Sequence, residues 1–185
     1  MKRTIYALGI LLTLFHSGAN AQSKYFTKSA NIKFDASGTV EEILAENKKA
    51  TFVLDTKTSA VEMGILMKAF EFKRALMQEH FNENYAESDK FPKATYKGKV
   101  TNLSNVEFRV NGTYLVKMVG KLTMHGVTKD VPATGGIQVA DGKVSGYANL
   151  QILLSDFGIE IPGLVKDKIS NKVTITVKVW LDPLP

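Results

Sequence analysis

The stretch YLVKMVGKLTM, residues 114–124, alternates without a break. Tyr114, Val116, Met118, Gly120, Leu122 and Met124 share one parity, and Leu115, Lys117, Val119, Lys121 and Thr123 share the other. Successive side chains of an extended chain point to opposite faces. A period of two therefore reads as a strand with one face buried. The same period governs Val61, Met63, Ile65 and Met67, then Val144 to Leu154 through Gly146, Ala148, Leu150 and Ile152, and finally Val173, Ile175, Val177 and Val179. Shorter strands are expected near 29–35, 39–46, 48–55, 93–103 and 128–140. Asn111-Gly112 and Asp141-Gly142 lie between alternating runs and predict two hairpin turns, because both residues of a tight type I′ turn need positive φ.

One stretch changes period. From Phe70 to Tyr85 the apolar residues fall at Phe72, Leu76, Met77, Phe81 and Tyr85, which is helical spacing. Pro92 disfavours helix just before it, so a helix over about 72–84 is expected. The sum is an all-β domain of about eight antiparallel strands with one helix, arranged as a closed barrel or a sandwich.

The beginning of the chain reads as an export signal. Lys2 and Arg3 precede the apolar run Ile5 to Phe15, and Ala19-Asn20-Ala21 supplies the small-x-small cleavage pattern. The run is shorter than the ~20 residues that span a bilayer. Residues 1–21 are therefore expected to be a cleaved signal peptide. Residues 22–185 then form one periplasmic or secreted domain with no transmembrane span. Without Lys2 and Arg3 the formal charge of +6 falls to +4. The remaining basic residues are scattered, which argues against nucleic-acid binding. There is no cysteine, so the fold rests on its core without disulfides.

The inward face mixes small and flexible residues. Ala50, Gly98, Gly120, Gly146 and Ala148 fall among large apolar neighbours, and Met63, Met67, Met118 and Met124 occupy inward positions. Small residues make room, and methionine adapts to variable apolar partners, a combination that fits an internal cavity. A filled barrel also alternates small and large residues, so both readings stand at this level.

The acidic stretch EHFNENYAESDKFP, residues 79–92, invites a catalytic or metal reading. His80 and Glu83 are three apart on the expected helix, but they supply two ligands where a zinc site needs three or four. A calcium loop wants a central glycine, and this stretch has none. No nucleophile elbow, phosphate loop or His-Glu-x-x-His occurs. No catalytic residue, metal or cofactor is expected. The stretch reads instead as a cap, with Phe72, Leu76, Phe81 and Tyr85 laid over a barrel end and Glu87 and Asp89 in water. Lys68, Lys73 and Arg74 beside it are candidates for selecting a polar head group.

Three segments, ESDKFPKATYKGKV (87–100), GKLTMHGVTKDV (120–131) and SDFGI (155–159), resemble the YceI-like, or polyisoprenoid-binding, family. The resemblance runs from about Tyr25 to Asp182. It is carried by the aromatic-Pro-x-Ala-Thr-aromatic pattern of Phe91 to Tyr96 and by Gly120 to Lys129. It implies a lipocalin-like eight-stranded antiparallel barrel, exported, with an apolar lipid or isoprenoid as ligand. The family's Arg-x-x-His-Leu-Arg-Ser pattern is replaced here by FKRALMQEHFNENY, and the segment NIKFDASGTVEEILAENKKATFVL is shorter than usual. The expected cavity lining is Met63, Ile65, Met67, Phe72 and Leu76, then Tyr96, Tyr114, Val116 and Met118, and finally Gly146, Ala148 and Leu150. The competing expectation is a filled-barrel envelope or stress-related interaction protein with no lipid ligand.

Overall fold

The computed structural model describes residues 23–184. The expected signal peptide, residues 1–21, lies outside the described residues. Ten strands follow: β1 (Lys24–Ser37), β2 (Leu44–Asp55), β3 (Ala60–Leu66), β4 (Glu71–Phe72), β5 (Lys93–Val100), β6 (Gly112–Met124), β7 (Val127–Asp130), β8 (Ala133–Ala140), β9 (Lys143–Leu153) and β10 (Ile169–Pro183). Eight of them run in the order β1-β10-β9-β8-β6-β5-β3-β2, and β2 pairs back with β1. The sheet is thereby a closed antiparallel barrel of eight strands, the barrel of the two arrangements the alternation left open, and closure removes the free edges an open sheet would expose. The short strands β4 and β7 pair with β2 and β6 respectively.

Parity holds along the long strands. In β6, Val116, Met118 and Leu122 are buried while Leu115, Lys117, Val119 and Lys121 are exposed, and β10 buries Val173, Val177 and Val179 in the same way. One expected break turns out to be internal to a strand. The separate segments 39–46 and 48–55 are replaced by β2 alone, with residues 38–43 forming a loop. Pairing of β2 with β1 shifts register between Ala30 and Ile32, opposite Asn47 to Ala50. The fully buried Asn47 holds this bulge: its amide nitrogen donates to the Leu66 carbonyl at 2.9 Å, and its oxygen accepts from the Lys49 N–H at 2.9 Å. The extra residue resets the alternation, which is why the sequence reads there as two strands.

The turns also differ from expectation. Asp141-Gly142 does form the β8–β9 hairpin with φ of 49° and 75°. Asn111-Gly112 does not turn: Gly112 opens β6 after a loop containing Leu103–Asn105. Asn111 serves the other turn instead, accepting from the Asp141 N–H at 3.0 Å. The β6–β7 hairpin falls at His125-Gly126, with φ of 52° and 76°. The expected strand 128–140 is divided at Val131-Pro132, where proline cannot donate to a ladder.

The two ends of the barrel differ. At one end Tyr25 stacks on Phe108 with centroids 5.3 Å apart, and the buried Leu103 and Val106 plug the opening. The other end carries the helical segment. The helix α1 spans Ala75–His80 and continues as a π-helical turn, Phe81–Tyr85. Its start is later than the expected 72, because Phe72 lies in β4 and pairs with Ala45.

An apolar cavity under a helical lid

The barrel is hollow. A cavity of about 530 Å³ runs between the inner walls and opens at the α1 end. Eleven of the twelve expected lining residues face it: Met63, Ile65, Met67, Phe72, Leu76 and Tyr96, with Val116, Met118, Gly146, Ala148 and Leu150 across from them. Tyr114 does not. It shares their parity, but it sits at the plugged end, and its hydroxyl donates to the Val110 carbonyl at 3.0 Å. All five methionines of the described residues, Met63, Met67, Met77, Met118 and Met124, border the space. The wall can therefore change shape at low cost, since thioether side chains have three soft torsions.

Two of the small residues serve a different purpose from the one expected. Gly98 and Gly120 pair across β5 and β6. A Cβ on Gly120 would lie 2.6 Å from the Tyr96 ring and 2.8 Å from the Lys97 carbonyl. These glycines seat the ring of Tyr96 against the wall and do not enlarge the cavity. Its hydroxyl donates to the Val131 carbonyl at 3.1 Å, so the cavity gains a ring face and no free polar atom. Burial pushes the Tyr96 phenol above the ordinary tyrosine range.

Polar groups gather only at the mouth, where Glu41, Arg74, His80 and Lys168 border the opening. Arg74 is salt-bridged to Glu41 and Lys73 to Glu42. The Arg74 hydrogen bond, with the charges of Arg74 and Lys168, holds the Glu41 carboxyl below the usual carboxylate range. Lys68 turns away to Asp89.

The lid has no fully buried residue in α1 itself. It is fixed through its π turn, where the Ala86 N–H reaches the Phe81 carbonyl at 2.7 Å and Phe81 joins Phe34, Phe70 and Phe72 in an aromatic cluster with centroids 5.1–5.7 Å apart. Leu76 does not pack in this cluster as the cap reading expected; it is 62% exposed at the edge of the mouth.

Behind the lid the three segments that carry the family resemblance meet. His125 Nε2 lies 2.7 Å from Glu87 Oε2, and its Nδ1 lies 3.0 Å from the Phe157 carbonyl. The Phe91 ring packs on the imidazole with centroids 4.5 Å apart. Glu87, expected in open water, is thus tied to the β6–β7 turn, and the buried Ser88 bonds Asn82 Oδ1 at 2.8 Å. The sequence offered one signal for this knot: the family motifs lie far apart in the chain, and a shared location is a simple reason to keep all three. Among the described residues no three His, Asp or Glu side chains gather as a metal-ligand set.

A closed eight-stranded barrel with an apolar interior and one open, lidded end is the architecture of lipocalin-like proteins. A family model described as YceI-like domain matches residues 16–181, and the chain belongs to that family. Solved structures share the fold. A polyisoprenoid binding domain from Saccharophagus degradans superposes with a TM-score of 0.74 at 14% identity, covering 88% of this chain and 99% of that one. BcnA of Burkholderia cenocepacia gives 0.66 at 14%, covering 83% and 96%. The YCEI protein of Campylobacter jejuni gives 0.52 at 18%, covering 97% of each. Among curated proteins nothing matches this chain.

Proposed function

We propose that this protein is an exported, non-enzymatic binding protein that holds a single apolar chain, an isoprenoid or other lipid, inside the barrel. The cavity carries the reading. Its volume lies within the ~300–1,000 Å³ of ordinary ligand sites. At roughly 30 Å³ per carbon-sized group, 530 Å³ takes on the order of 18 of them. With every buried side-chain nitrogen or oxygen satisfied among the described residues, the interior offers a ligand only dispersion and hydrophobic burial. The hydrocarbon would therefore enter first, with a polar head left at the mouth beside Arg74, His80 and Lys168. The polyisoprenoid-binding relative supports the same ligand class. A filled barrel acting by surface contacts alone would need this space packed, and the geometry disfavours it.

Native mass spectrometry of protein purified from its own host, followed by solvent extraction, tests the proposal. An adduct that leaves a single-chain lipid in the extract is expected; an apo mass together with no uptake of an apolar fluorescent probe would refute it. Export rests on the Lys2-Arg3 start, the Ile5–Phe15 run and the Ala19-Asn20-Ala21 box. N-terminal sequencing of the exported protein should read from Gln22, and a sequence retaining Lys2 and Arg3 would refute cleavage.

A further inference from the structure

Three loops make up the rim of the mouth, and they are bonded into one unit. Residues 38–43 hang on residues 165–168: the Gly38 N–H donates to the Lys168 carbonyl at 2.8 Å, and the Thr39 and Val40 N–H groups donate to the Asp167 carbonyl at 2.8 and 3.2 Å. The same loop is tied to the start of α1 through Glu42–Lys73 and Glu41–Arg74. Each loop presents an apolar side chain to solvent: Val40 is 68% exposed, Leu76 62% and Leu164 99%. Taking these tips out of water would cost the barrel little packing, and nothing in the barrel packs on Leu164. They flank the cavity itself, because Leu76, Val165 and Lys168 line it.

The charge around these tips is not balanced evenly. Lys73 and Arg74 are neutralised by their glutamates, but Lys166 and Lys168 are exposed and form no ion pair among the described residues. Asp167 between them leaves that loop net positive. Apolar tips beside exposed, unpaired lysines have the composition of a surface that dips into the head-group layer of an anionic membrane, with lysine stems extending along the interface. A cavity with an apolar interior has a reason to open there: a lipid could pass from bilayer to barrel without crossing water.

We infer that the rim formed by residues 38–43, 73–77 and 162–168 is a docking surface for an anionic lipid bilayer. Its purpose rests on the lipid-binding reading of the cavity, but the docking itself can be measured without cargo. Delipidated protein from its own host is floated with vesicles of phosphatidylcholine alone or with about one-third phosphatidylglycerol. The wild type should float with the anionic vesicles and lose binding as salt rises, since surface attraction is screened. Leu164→Asp and Lys166→Glu should each lower the bound fraction roughly tenfold. Leu115→Asp, which places the same charge on the outer wall near the plugged end, should float like the wild type. Uptake of an apolar probe from solution should be the same in all four proteins, because none of the changed side chains reaches the interior. Failure of the wild type to float, rim variants that float unchanged, or loss of binding in Leu115→Asp would each overturn the proposal. Flotation through the rim with no probe uptake would leave docking standing and refute the cavity reading alone.

Discussion

His125 sits at a backbone position that L-residues seldom adopt, with φ of 52°, and its ring joins three segments of chain. The Phe157 carbonyl can only accept, so Nδ1 donates to it. Nε2 then faces a carboxylate oxygen, and one proton must lie between His125 and Glu87. Asparagine tolerates the left-handed region and would keep the turn while removing the bridge. His125→Asn should therefore cost about 1–2 kcal/mol, from the lost hydrogen bonds and the uncovered Phe157 carbonyl. For a domain of this size that is a fall in Tm of roughly 2–8 °C by thermal melt; an unchanged Tm would show the bridge contributes nothing. Tyr96 supplies a test in pH. Its folded-state pKa is raised by burial, so the native state keeps a proton that the unfolded chain loses. Stability from this group is complete below the ordinary tyrosine value of about 10 and declines as pH rises above it. Chemical denaturation across that range should show the decline, and Tyr96→Phe should lessen it, leaving the share of Tyr85, whose phenol burial also raises.

At the scale of elements, β5 and β6 come close together at a pair of glycines. Gly98 and Gly120 face each other, and the Tyr96 ring occupies the space a side chain on Gly120 would need. Gly120→Ala should drive the ring into the cavity or push the strands apart, and over-packing of this kind costs about 1–3 kcal/mol. Urea denaturation reads the cost. If the ring is the part that yields, uptake of an apolar probe should fall as well. The lid behaves oppositely. Because α1 buries no residue of its own and is held by Phe81 and its aromatic neighbours, its hold on the barrel is local. Elements with few buried contacts open at the low end of the stability scale, a property a gate over a cavity requires.

For the whole molecule, the decisive quantity is empty volume. Ala148 lines the cavity, so Ala148→Phe should place its ring in free space. Stability of the delipidated protein should stay within about 1 kcal/mol, well under the over-packing cost of a dense core, while probe uptake falls. Met118→Ala tests the same stretch of wall two strands away, in β6. In a dense core such truncation costs about 2–5 kcal/mol, and here it should cost less, because the side chain already borders a void. Both comparisons need delipidated protein, since a bound lipid stabilises the fold by itself. A strongly destabilised Ala148→Phe protein, with no probe uptake by the wild type, would mean that the barrel is filled in solution.

The sequence by itself determined most strands and their inward faces, because a period of two is written residue by residue and each strand needs only its own alternation; the choice of barrel over sandwich came from the family motifs, not from the period. Parity, inherited along a strand, also brought most of the inward residues it picked out on the strands to the cavity wall. It did not determine where parity resets or which paired glycines are filled. The Asn47 bulge depends on the partner strand, and the space above Gly120 is taken by a ring from β5. Nor could it show that Asn111-Gly112 would form no turn of its own, because Asn111 instead accepts from the Asp141 N–H, 30 residues away in the chain. Glu87 looked solvated for the same reason: its partner lies 38 residues away. Hollowness, finally, is a property of all eight strands at once. The same small and large inward residues serve a filled or an empty barrel, and only closure of the ring fixes how much volume is left over.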